Sequence, residues 1–225
     1  MGAAIALLAT LGVGAATVAL GYSVFSNIRP GRGRIEKDLE AFRKMLQPLM
    51  VDLVPMEEGE IELLCSKPNI VGSKKRVTDT WQGNFVSIYQ ENMIVFAYRN
   101  YVSKSENALL YAKTANHEYI YRVKDGICEI MIDDKLLGYF KEDNHLYLAK
   151  TKKPFAYLDH NSGDQLISIR INDKEVGSIY KQGVVKQPHP RAFELLTKMS
   201  KEYQLTFISL AIYELVKRNG TIRKP

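Results

Sequence analysis

From Pro55 to Tyr180 the chain alternates apolar and polar residues over short runs, each stopped by residues that reverse a chain. Glu60–Leu64, Phe85–Tyr89, Met93–Tyr98 and Ala108–Lys113 are rich in β-branched and aromatic residues, the composition of half-buried strands. The same character continues through Glu118–Val123, Cys128–Ile132, Leu136–Lys141, Leu146–Ala149, Phe155–Leu158, Leu166–Ile171 and Glu175–Tyr180. The punctuation is hairpin chemistry: Gln90-Glu91-Asn92, Lys124-Asp125-Gly126, Asp133-Asp134, Glu142-Asp143-Asn144, Asn161-Ser162-Gly163 and Asn172-Asp173. The pattern predicts a mainly β chain of about twelve strands in an antiparallel meander. So many strands rarely stay open and flat, and closure removes exposed edges, so a closed barrel is expected.

The strands repeat. Ala112-Lys113-Thr114 recurs as Ala149-Lys150-Thr151. Ile130-Met131-Ile132-Asp133-Asp134-Lys135 with Gly138 recurs as Ile169-Arg170-Ile171-Asn172-Asp173-Lys174 with Gly177. The small difference in offset falls in the Asn161–Gly163 turn, where an insertion is cheap. Two copies of a four-strand unit are expected, with the glycines at bends or close backbone approaches.

Helical character returns at Pro190. Phe193, Leu196, Met199 and Tyr203 share one side of an expected helix, and Leu205 to Val216 is apolar nearly all round. Gly220 follows the basic pair Lys217-Arg218, the expected last turn and stop. A helix apolar on every side is buried in a core or in lipid. Twelve residues reach about 18 Å, too short to span a bilayer. The helix is therefore expected to fill the barrel.

This combination resembles the tubby-like superfamily, which includes tubby C-terminal domains, phospholipid scramblases and the plant LURP-one-related proteins. The resemblance covers residues 57–218. It rests on the strand order, the repeated Ile130-x-Ile132-Asp133-Asp134-Lys135-x-x-Gly138 hairpin and the Leu205–Val216 helix. It implies a β-barrel around a central helix and a role near membrane lipid. Scramblases carry their hydrophobic segment at the C-terminus, whereas the apolar segment here is N-terminal. No phosphoinositide-binding residue of tubby is carried onto a position of this chain.

Residues 1–28 contain no charged side chain, and Gly2–Ile28 is apolar beyond the ~20 residues needed to cross a bilayer. A cleaved signal peptide needs a basic n-region and a shorter apolar run, so one N-terminal transmembrane anchor is expected. Arg29, Arg32, Arg34 and Lys37 follow it, and basic flanks stay cytoplasmic. The expected topology is single-pass, with the N-terminus outside and the following domain cytoplasmic. Gly12 with Ala16, and Ala15 with Ala19, form small-xxx-small pairs suited to helix–helix packing, with a membrane-protein partner or a second copy.

Pro30, Gly31 and Gly33 make a basic hinge after the anchor. Ile35–Leu53 then places Ile35, Leu39, Phe42, Leu46, Leu49, Met50 and Leu53 on a helical period, with Pro48 kinking or ending it. Its stripe is expected to pack on its own domain. The organisation is thus anchor 1–28, hinge and amphipathic helix 29–56, and β domain 57–225.

Two cysteines, Cys65 and Cys128, exclude a disulfide scaffold, and neither stands in a C-x-x-C pair. His117, His145, His160 and His189 lack metal-ligand spacing, and no nucleophile motif or phosphate-binding glycine loop occurs. No enzyme activity and no cofactor are expected. The net charge of +6 permits an anionic surface. Basic clusters stand at Lys74-Lys75-Arg76, at Lys150 with Lys152-Lys153, and at Lys217-Arg218 with Arg223-Lys224. With no basic motif interleaved by aromatics, nucleic acid is not an expected partner. Arg29, Arg32, Arg34, Lys74, Lys75 and Arg76 are the candidate contacts to anionic lipid. The expected function is a membrane-tethered, lipid-contacting or protein-interaction module. The alternatives are an accessory subunit of a membrane complex and, second, scramblase-like lipid transport.

Overall fold

A computed structural model describes residues 30–56, 59–75, 79–181 and 190–221. It is mainly β. Helix α1 (Arg32–Met50) precedes strands β1 (Asn69–Lys75), β2 (Asp79–Val86), β3 (Asn92–Asn100), β4 (Asn107–Lys113), β5 (Glu118–Lys124) and β6 (Ile127–Ile132). There follow β7 (Lys135–Phe140), β8 (His145–Leu148), β9 (Pro154–Asp159), β10 (Leu166–Ile171), β11 (Lys174–Tyr180), β12 (Phe193–Leu195) and helix α2 (Lys201–Thr221). The strands form one 12-stranded antiparallel sheet in sequence order. The expected anchor over residues 1–28 lies outside the described residues. No described helix is long and apolar enough to cross a membrane.

The hairpin turns form where the sequence places them, for a stereochemical reason. Asp125-Gly126, Asp133-Asp134 and Asn172-Asp173 all take positive φ, the backbone of tight turns that match strand twist and that Asp, Asn and Gly tolerate best. The repeated sequence produces repeated geometry. In β6–β7 the register shifts after Ile130, which stands opposite Gly138; in β10–β11 it shifts after Ile169, opposite Gly177. Each glycine is where the next strand passes closest. A Cβ on Gly138 would collide with the carbonyl oxygen of Tyr147, and one on Gly177 would sit 2.7 Å from that of Glu194.

Eight consecutive residues of α2, Thr206 to Tyr213, are buried, more than two turns, so every face of the helix is covered. One continuous apolar cluster joins it to inward residues from β2 through β12. Phe207 meets Phe193 edge-on, Tyr213 stacks on Tyr121 and meets Phe140 edge-on. The helix therefore is the interior, as its sequence required.

Several expectations are corrected. The sheet is not closed: β1 and β12 share no ladder. A segment without regular strand structure lies there instead. Cys65 N–H donates to the Val86 carbonyl, Ser66 N–H to that of Pro190 and Ala192 N–H to that of Leu64. Glu60–Leu64, expected as a strand, contains a 3₁₀ turn at Ile61–Leu63, whose Glu62 carboxylate accepts from Leu195 N–H at 2.7 Å. Strands β1 and β12 had no counterpart in the expected pattern, and the Phe85 strand begins earlier, at Asp79. The C-terminal helix starts at Lys201, not near Pro190, because Phe193–Leu195 pairs with β11. Ser200 caps it, accepting from Tyr203 N–H at 3.3 Å. In α1, Gly33 is helical rather than part of a hinge, and Pro48 stands inside the helix near its end.

Helix α1 packs on the outer sheet face, as its stripe predicts. Phe42 and Leu46 are fully buried against Val95, Ala97, Leu109, Tyr111 and Ile120. Strands β3 and β4 are thus covered on both faces, which explains their continuous apolar runs.

Candidate functional site

In a meander, every second turn lies at the same end of the sheet. The β3–β4 loop, the β5–β6 turn, the C-terminal end of α2 and the start of α1 share one such end, and Lys74 and Lys75 stand at it too, paired in register with Thr80 and Asp79.

What holds α1 there is Asp38, almost completely buried. Its carboxylate is bonded by Arg99 of β3, by Tyr101 Oη–H at 2.6 Å and by Arg34 Nε–H at 3.3 Å. Arg99 also donates to Thr80 Oγ1 at 3.0 Å and lies over the Phe42 ring. Burial and then the Asp38 carboxylate push the Tyr101 phenol well above its usual range, so it stays a donor. A buried carboxylate with several charge-assisted partners fixes orientation more than it adds stability.

The β3–β4 loop is polar, Ser103-Lys104-Ser105-Glu106, and so stays in water. It is closed by Tyr101 N–H on the Asn107 carbonyl at 2.8 Å. It is tied to the β5–β6 turn by Asp125 N–H on the Glu106 carbonyl and by Ser105 Oγ–H on Asp125. Between loop, turn and the start of α1 lies a cavity of about 610 Å³. Pro30, Lys104, Asn107, Arg122, Lys124 and the carboxylate-bearing Asp125 line it, among others. Arg122 is pinned: its Nη1 donates to the carbonyls of Ala108 and Val123, both neutral, and its plane lies over Tyr101. Burial pulls this guanidinium below its ordinary value, against the opposing pull of the Tyr101 phenol and the Glu129 and Asp125 carboxylates. The Asn107 side chain is buried, and its Oδ1 has no partner among the described residues.

A second cavity, about 470 Å³, adjoins the first across Ser103–Ser105. It is lined by Asp79, Trp81, Tyr98, Glu106 and Lys217 among others. Trp81 and Tyr98 are neighbouring walls, ring centroids 5.5 Å apart and planes at 48°.

The sequence-predicted lipid contacts separate as follows. Arg32 is exposed and paired with Glu36 at 3.2 Å within α1, while Arg34 turns to Asp38. Lys74 and Lys75 are in β1; Arg29 and Arg76 lie outside the described residues, as do Gly12, Ala15, Ala16 and Ala19. The cluster Lys150, Lys152 and Lys153 lies at or beside the β8–β9 turn, at the opposite end of the sheet. Lys104, Arg122, Lys124 and Asn107 were not singled out from sequence. The signal that could have found them is the meander itself, which brings alternate turns together. Among the described residues no three His, Cys, Asp or Glu side chains form a group able to hold a metal ion.

No family model matches this chain, and neither a curated protein nor a solved structure matches it.

Proposed function

We propose that this chain is a membrane-tethered, non-enzymatic β-sheet module whose α1 end rests against anionic lipid. The observation that carries the reading is the position of Pro30. The residue that leads back toward the apolar segment 1–28 lines the same cavity as Lys104, Arg122 and Lys124. A bilayer anchored through residues 1–28 would meet that end first. There each Lys or Arg near an anionic surface contributes about 1 kcal/mol, and tethering raises the effective concentration of head groups. The basic residues after the apolar segment favour a cytoplasmic module with the N-terminus outside. The tubby-like resemblance belongs to the same proposal. A twelve-stranded antiparallel sheet around a buried C-terminal helix, with duplicated hairpins, supports it.

The test is hydrogen exchange on the full chain in nanodiscs of neutral or partly anionic lipid. Expected is slower exchange at residues 103–106 and 124–126 in anionic discs at low salt, fading at high salt as charges are screened. The far-end turn at residues 150–153 should not change. Protection at the far end, or none at either end, would overturn the reading. An accessory subunit of a membrane complex would instead leave the membrane, after mild detergent extraction, in a defined hetero-complex.

A further inference from the structure

Strand register fixes which side chains leave the sheet on the face that carries α1. On β5 and β6, inward Val123, Cys128 and Ile130 alternate with outward Arg122, Lys124, Ile127 and Glu129. Lys124 stands opposite Ile127, Glu129 opposite Tyr139, and Tyr139 opposite Tyr147. Leu136 is opposite Met131, which packs against the cluster beneath α1. The apolar surface under α1 thus continues onto the outer face of the β6–β7 hairpin. No described residue covers it there: Ile127 is 43% exposed, Leu136 37% and Tyr139 36%. Exposed apolar side chains gathered on one face mark a contact surface.

The position of the tether identifies what the face meets. Helix α1 lies on this same outer face, over β3 and β4. Pro30, just before it, shares a cavity with Asn107, Arg122 and Lys124, and the outward pair Asn107 and Lys124 is in line with Ile127. The apolar segment 1–28 ends just before Pro30. A segment seated in a bilayer therefore holds the module by a corner of its outer face. From Lys124 the exposed hairpin is one to two strand spacings of about 4.8 Å away.

We propose that the outer face of the β6–β7 hairpin, centred on Ile127 and Tyr139, lies in the bilayer interface, so that the module leans from its α1 end onto this face. This rests on the membrane-tethered reading and adds the contact face and the orientation. A tyrosine at head-group level keeps its ring in an apolar layer and its hydroxyl in a wet one, which is why the residue gathers at membrane interfaces. Beside Tyr139, Tyr147 donates its hydroxyl to Asp143 at 2.7 Å, and Lys141 Nζ lies 4.2 Å from its ring centroid. Charges of both signs flank the face, Lys124 and Lys141 with Asp125, Glu129 and Asp143. Its apolar side chains, not its net charge, therefore select the bilayer. They reach a depth of about 5–10 Å, the boundary between head groups and acyl chains.

The experiment uses the full chain with one new cysteine at a time: Ile127→Cys, Tyr139→Cys, Val71→Cys or Tyr89→Cys. All four positions are exposed and both native cysteines are buried, so an environment-sensitive dye reports on the new site. The host is a nanodisc of partly anionic lipid at low salt, with a fraction of the lipid carrying a nitroxide high on its acyl chain. Strong quenching is expected at 127 and 139, and little at 71 on β1 or at 89 in the β2–β3 turn. A melting curve accompanies each variant, and Leu136→Cys, on the same face, replaces either hairpin variant that fails to fold. Quenching absent at 127 and 139, or equal at all four sites, overturns the proposal. So does a dye at 127 and 139 that is shielded from an aqueous quencher yet untouched by the lipid nitroxide, because a protein partner or a second copy then covers the face. If exchange protection at residues 103–106 and 124–126 persists without quenching, the lipid-contacting reading stands with the module upright on its end. Loss of both overturns both.

Discussion

Tyr121 on β5 donates its hydroxyl to the main-chain carbonyl of Ser209, at 2.8 Å, in the middle of α2. Both residues are buried, and the bond fixes the helix along the sheet at one depth while the Tyr121 ring stacks on Tyr213. Tyr121→Phe keeps the ring and removes the donor. We expect a loss of about 0.5–1.5 kcal/mol, read as a lowered melting temperature, with the fold unchanged.

The same phenols make the fold sensitive to base. Burial raises Tyr121 well above its usual value; it does the same for Tyr98, Tyr119 and Tyr213, with neighbouring anionic groups adding to it. A group whose folded-state value is raised contributes stability that is complete below the unfolded value, near 10, and is lost as pH climbs toward the folded one. Stability should therefore fall steadily above pH ~10, with more than one proton released on unfolding. A denaturation midpoint unchanged between pH 9 and 11 would contradict this.

Phe207 is fully buried, edge-on to Phe193 and close behind Gly177. Phe207→Ala should cost about 3–5 kcal/mol, a large share of the ~5–15 kcal/mol that holds a domain. Ile208→Asp should be worse, because it places an unpaired carboxylate in an apolar interior. Urea titration of each variant checks both. An Ile208→Asp variant as stable as the parent would mean that the sheet does not enclose α2.

Asp38→Ala should loosen α1 without dissolving the sheet. It leaves Arg99, largely buried, without its carboxylate and Tyr101 without its acceptor. We expect a loss of about 2–3 kcal/mol, below the ~3–5 of a fully buried broken pair because Arg34 and Arg99 keep some contact with water. Hydrogen exchange should quicken across residues 32–50 more than across β6–β11.

The paired glycines offer a comparison within one molecule. Gly138→Ala and Gly177→Ala each put a methyl group against the next strand's carbonyl, and backbone cannot step aside as a side chain can. Both should destabilise by about 1–3 kcal/mol, Gly138→Ala more, since its clash is the closer. Ala at Gly33 or Gly163, where nothing lies within 4 Å, should be tolerated.

The sequence by itself determined most of what depends on neighbours along the chain. Strands β3 to β11 follow from alternation, and the tight turns follow from Asp, Asn and Gly tolerating positive φ. The duplicated hairpin was legible down to its glycines. The buried helix followed from having no polar face between Leu205 and Val216. Tertiary structure decided what depends on distant partners. Phe193–Leu195 reads as one side of a helix and becomes a strand because β11 offers an unpaired edge. Closure failed because Ile61–Ser66, which directly precedes β1, bonds to β2 and to the approach to β12, so that β1 and β12 do not meet. The candidate site belongs to this second kind. Pro30, Lys104, Asn107 and Lys124 carry no common motif, and their proximity exists only once α1 is docked through Asp38 and alternate turns fall at one end of the sheet. Local patterns encode torsion preferences and burial period, whereas which turns share an end is set by long-range pairing, which no window along the chain contains.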